Sequence, residues 1–105
     1  MALDFLLNPE PTFDWSVPVP VAGKAEPVMV RMSFKHRTKD ELDKFMKDRV
    51  GKSDADSFME MISGWELVDE FSRANVEKLL QNRAGTALAA YREYIEQLVK
   101  AKAKN

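Results

Sequence analysis

At 105 residues, with 45% hydrophobic and 31% charged side chains, the chain has the size and make-up of one folded unit, 1–105, since two domains would each have too little core. Sixteen Lys and Arg against 17 Asp and Glu leave a net charge of -1, so no duplex-binding footprint is evident, and the lack of cysteine excludes a disulfide framework and thiol chemistry. The start of the chain lacks the basic residues and longer apolar run of a signal peptide, and no stretch approaches the roughly 20 apolar residues that span a bilayer; the expectation is a protein that stays soluble in the cell.

Residues 1–11 read as an apolar arm carrying Leu3, Phe5, Leu6 and Leu7. From Phe13 the chain alternates: Phe13, Trp15, Val17, Val19 and Val21 point one way, and Asp14, Ser16, Pro18 and Pro20 the other. Pro18 and Pro20 lack amide hydrogens on the same side, which predicts a strand with one edge unpaired within the fold. Its partner is the run from Pro27 to Lys35, with Val28, Val30, Met32 and Phe34 on one face, giving an antiparallel hairpin over about 12–35.

The pattern then turns helical. Thr38-Lys-Asp-Glu41 is a capping box opening a helix over about 39–50, with Leu42, Phe45, Met46 and Val50 on one face and Gly51 at its end. Ser53 caps a second helix, about 54–63, in which Phe58, Met61, Ile62 and Trp65 line up until Gly64 interrupts. Ser72 caps a third, about 73–83, with Phe71 and Val76 as a hydrophobic staple, and Gly85 breaks it. A fourth, about 86–102, carries Leu88, Tyr91, Ile95 and Leu98 as its inward stripe. The predicted fold class is α+β, a hairpin (12–36) followed by a helical part (38–105).

Residues able to do covalent chemistry do not converge. His36 is the only histidine and reads as a solvated residue at the strand's end; without cysteine nearby, a zinc site of nitrogen and sulfur ligands is not expected. Asp54, Asp56 and Glu60 lack the spacing and turn glycine of a calcium loop and suit a helix start instead. The glycines form no phosphate-cradling loop, and Ser53, Ser57, Ser63 and Ser72 have no nucleophile-elbow context. The expectation is no enzyme, no cofactor and no metal. Trp15 and Trp65 fit core-facing periodicity, Trp15 less firmly because its strand has an open edge. Five of the six methionines, Met29, Met32, Met46, Met59 and Met61, offer adaptable apolar surface, although most fall on core stripes. The open edge admits self-association or an added partner strand. The arm at Phe5, Leu6 and Leu7 reads equally as a partner contact or as a lid on the chain's own core.

Gly64-Trp65, Glu70-Phe71-Ser72, Val76 with Leu79-Leu80, the helix around Tyr91 and the ending Lys104-Asn105 together resemble the skeleton of tail assembly chaperones of long-tailed, lambda-like bacteriophages, over roughly residues 60–105. Where many members have Tyr-Pro-Gly before the last helix, this chain has Asn82-Arg83-Ala84-Gly85 and keeps only the glycine. The resemblance implies a non-enzymatic protein of the bacterial host's cytoplasm that binds the tape measure protein, keeps it soluble while tail tube protein is recruited, and is absent from the virion. It also implies a longer, frameshifted product that contacts tube protein; the adenine-rich codons of Lys102-Ala-Lys-Asn105 are compatible with that. Phe5, Leu6, Leu7 and Trp15 are the expected contact residues, with Tyr94 on the flank of the last helix as a lesser candidate. The alternative is a small phage adaptor or regulator touching nucleic acid weakly through Lys100, Lys102 and Lys104, but cations at a helix C-terminus complement its dipole without any such role.

Overall fold

The computed structural model describes residues 7–100. Strand β1 (Thr12–Val19) and strand β2 (Val28–Lys35) pair antiparallel, Thr12 opposite Lys35 and Val19 opposite Val28. The Lys24 amide donates to the Val21 carbonyl at 3.1 Å, and Gly23 has φ 84°, a left-handed backbone that suits glycine in a tight turn. The hairpin thus occupies the span the alternation predicts.

Helix α1 (Lys39–Arg49) begins at the capping box: the Thr38 hydroxyl accepts from the Glu41 amide at 3.2 Å, and the Glu41 carboxylate accepts from the Thr38 amide at 2.8 Å. The hydrogen bond from Thr38 also holds the Glu41 carboxyl below its usual range. Thr38→Ala removes one half of this reciprocal pair and is expected to cost about 1 kcal/mol in a urea unfolding curve. Helix α2 (Asp54–Met61) is capped by Ser53, and helix α3 (Arg73–Asn82) by Ser72, each hydroxyl accepting from the amide three residues on.

The second predicted helix ends earlier than its apolar spacing suggests. Ile62–Trp65 leaves α2 as a third strand, β3, antiparallel to β2, so the sheet order is β1-β2-β3. Met32 faces Trp65 and Phe34 faces Ile62, with a register shift between Ser33 and Phe34. The abrupt exit from helix to strand leaves carbonyls without intrahelical donors, and the last residue of β2 and the segment just after it supply replacements. Lys35 Nζ donates to the Met59 carbonyl at 3.1 Å and Arg37 Nη1 to the Glu60 carbonyl at 2.7 Å, both cations at the negative end of the α2 dipole.

Helix α4 (Thr86–Ile95) continues as a π-helical turn over Glu96–Lys100. Its buried face is not the predicted stripe: Thr86, Ala87, Ala90, Glu93 and Tyr94 face inward, while Leu88 is 46% exposed and Tyr91, Ile95 and Leu98 lie on the flanks. Small Ala87 and Ala90 let the helix axis approach its neighbours closely, and Tyr94 carries the bulk that fills the space ahead. At the other end, a Cβ on Gly85 would sit 2.7 Å from Pro20 Cγ. Gly85→Ala therefore pushes α4 off the hairpin. Its expected net cost is about 1–2 kcal/mol after the small entropic gain of alanine, read as a lowered urea midpoint.

The core lies between the inner face of the sheet, where Val17, Val19, Met32 and Phe34 are buried, and the helices, which contribute Leu42, Phe45, Phe58, Met61, Val76, Ala90 and Tyr94. Phe34 stacks on Phe13 and on Tyr94, both at 5.5 Å between centroids, and Phe45 meets Tyr94 edge-on at 5.8 Å. Among the described residues, β1 pairs only with β2. The Pro11 carbonyl accepts from His36 and the Arg31 carbonyl from Glu66, which fixes the direction of the ladder. Odd-numbered residues of β1 face β2, and Thr12, Asp14, Ser16 and Pro18 face outward. The prolines lie on the free edge, as their missing donors require.

Candidate functional site

The residues expected to meet a partner fall into three groups. Leu7, just ahead of β1, is 92% exposed; Phe5 and Leu6 lie outside the described residues. Trp15 is half-buried, and its indole N–H donates to Glu93 Oε1 at 2.7 Å, so its polar handle is used to tie β1 to α4. Tyr94 is not on a flank. It is fully buried; its hydroxyl donates to the Lys35 carbonyl at 2.6 Å and accepts from Arg37 Nη1 at 2.9 Å. The predicted flank position fails because the helix turns its alanine face inward and brings Tyr94 with it.

Arg37 emerges as a hub with no local sequence signal. Besides the Glu60 carbonyl and the Tyr94 hydroxyl, it sits 4.6 Å over the Phe45 ring and 4.0 Å from Glu60 Oε1. One side chain thereby joins the end of β2 to α1, α2 and α4. Burial raises the Tyr94 phenol above its ordinary value of 10.0, against the opposing pull of the Arg37 guanidinium. Two of the three acidic residues of α2 are paired rather than convergent: Asp56 with Arg73 at 2.8 Å, and Glu60 with Lys52. Among the described residues no group of three or more His, Cys, Asp or Glu could hold a metal ion.

The surface instead offers apolar concavities. One of about 560 Å³ runs between the hairpin and α4, lined by Pro18, Pro20, Val21, Leu88 and Ala89 among others. A second, about 720 Å³, separates the start of α1 from the end of α4; Leu42, Met46, Ile95, Leu98 and Val99 line it. Met46 was expected on a core stripe, yet it is 38% exposed here, because α1 turns Leu42 and Phe45 to the core. No helix among the described residues is long and apolar enough to cross a membrane.

The described residues thus form a small α+β module with apolar grooves on its surface. A family model described as phage tail assembly chaperone matches residues 1–105, and the chain belongs to that family. The match extends over the whole chain, beyond the second half in which the motifs lie. No curated protein and no solved structure matches the chain.

Proposed function

We propose that the protein binds the tape measure protein, keeps it soluble in the cytoplasm of the bacterial host, helps recruit tail tube protein around it, and leaves before the virion is complete. The observation that carries this reading is the family match over 1–105, and the exposed Leu7 side chain and the two grooves support it. A long client with repeated apolar segments calls for several weak contacts acting together, so that many copies can coat it and still be displaced. No covalent step is needed for such a role. Recruitment of tube protein belongs to a longer frameshifted product in this proposal. Self-association through the outward edge of β1 and contact through Phe5, Leu6 and Leu7 belong to it as well.

Coexpression with a tape measure fragment tests the reading: the fragment partitions to the supernatant only when this chain is present, and copurifies with it. A fragment that pellets equally in both cases, or a salt-sensitive DNA complex in place of a client complex, would overturn it. The nucleotide sequence tests the longer product, which requires a slippery heptamer ahead of the stop codon and an overlapping downstream frame.

A further inference from the structure

We propose that the groove between α1 and the end of α4 seats an amphipathic helix of the client, one whose apolar stripe is flanked by acidic residues. This rests on the chaperone reading and gives its client segment a chemistry. Two helices form the walls, and a third laid between them completes a three-helix packing by inserting its apolar stripe. The lining supplies the matching surface. Leu42, Ile95 and Leu98 form a base partly covered by the fold, while Met46, 38% exposed, and Val99, 63% exposed, stand ready to close over an inserted side chain. Methionine adapts to ligands of varied shape, which suits a client with several similar segments. The π-helical turn at Glu96–Lys100 shapes the mouth of the groove from the α4 side.

Charge selects the flank of the incoming helix. The lining holds three cations, Arg37, Lys39 and Lys100, against one carboxylate, Asp43, and that carboxylate is already paired with Lys39 at 3.0 Å. Arg37 lies 4.0 Å from the Glu60 carboxylate just behind the lining, so three cations against two carboxylates leave a charge of +1 at the groove on a chain whose net charge is -1. Glutamates beside the apolar stripe of a client helix meet this rim favourably, and lysines there meet repulsion.

The test uses the intact chain and two labelled peptides of about five helical turns, with one shared leucine stripe, flanked by glutamate in one and by lysine in the other. Fluorescence anisotropy should show the acidic-flanked peptide binding at least about tenfold more tightly, with the difference shrinking as salt rises. Met46→Glu and Val99→Glu, both at exposed positions, should each weaken that complex by about tenfold or more while the urea midpoint stays near that of the parent chain. Equal binding of both peptides, or affinity untouched by both substitutions, overturns the proposal. So does failure of the acidic-flanked peptide to bind, as would follow if the chain's own ends or a second copy fill the groove. A change in sedimentation caused by Met46→Glu would identify the second copy as occupant. Client coexpression is scored separately, so the groove can fail while the chaperone reading stands, and the reverse.

Discussion

Tyr94→Ala is expected to lower the free energy of unfolding by about 3–5 kcal/mol, a large share of the roughly 5–15 kcal/mol of a typical small domain. The ring lies at zero exposure between Phe34 and the edge of Phe45, so its removal leaves a cavity that neighbouring aromatics cannot collapse into without losing their own contacts. Tyr94→Phe separates the hydroxyl from the ring. It leaves the Lys35 carbonyl and one Arg37 donor without their partner, for an expected loss of about 1–3 kcal/mol. The two variants also differ from the parent chain in alkali. Burial raises the phenol's pKa, so the folded state holds its proton to higher pH than the unfolded chain does. The Tyr94 contribution is therefore complete below pH 10.0, the unfolded value, and declines as pH climbs through the raised folded value. Urea titrations across that window should show the gap between parent and Tyr94→Phe narrowing; a constant gap would mean that the phenol is not the group being titrated.

Arg37→Ala should cost about 2–4 kcal/mol. Two hydrogen bonds from a charged donor account for most of it and the contact over Phe45 for the rest, with the distant Glu60 carboxylate adding little. Arg37→Lys cannot recover the loss, because an ammonium cannot serve the Glu60 carbonyl and the Tyr94 hydroxyl while lying flat over a ring. The hydroxyl is shared between the two side chains, so Arg37→Ala combined with Tyr94→Phe should destabilise less than the sum of the separate changes, by about 0.5–2 kcal/mol in a double-mutant cycle. Strict additivity would show that the contact carries no energy. The same substitution loosens the hold on Phe45 and hence on α1, one wall of the groove that faces the client in our proposal.

Much of this architecture could be read from the chain because its signals are local. The hairpin follows from alternation and from two prolines on one side, and the helix starts follow from Thr38, Ser53 and Ser72, whose hydroxyls need only an amide three residues away. The misreadings share a different cause. Ile62 and Trp65 continue the helical spacing set by Phe58 and Met61, and only the unpaired side of β2, distant in sequence, makes them a strand. In α4 two apolar stripes compete, and the one with smaller residues is buried because close approach and a carbonyl acceptor for Tyr94 outweigh the larger side chains of the other. The link between Trp15 and Glu93 spans 78 positions, and the Arg37 hub joins four elements; neither leaves a trace in a window of ten or fifteen residues. The groove between α1 and α4 is likewise a property of two segments half a chain apart.

In the proposed role many copies act along one client, and the borders of the sheet bear on that. Its outer rim carries prolines at one border, and at the other a stretch of only four residues with an irregular register. Pro18 interrupts the donors of one border and the other border is short, which limits edge-to-edge growth when copies crowd together. In the proposed role, neighbouring molecules on a client therefore meet through short edge contacts only and can part again.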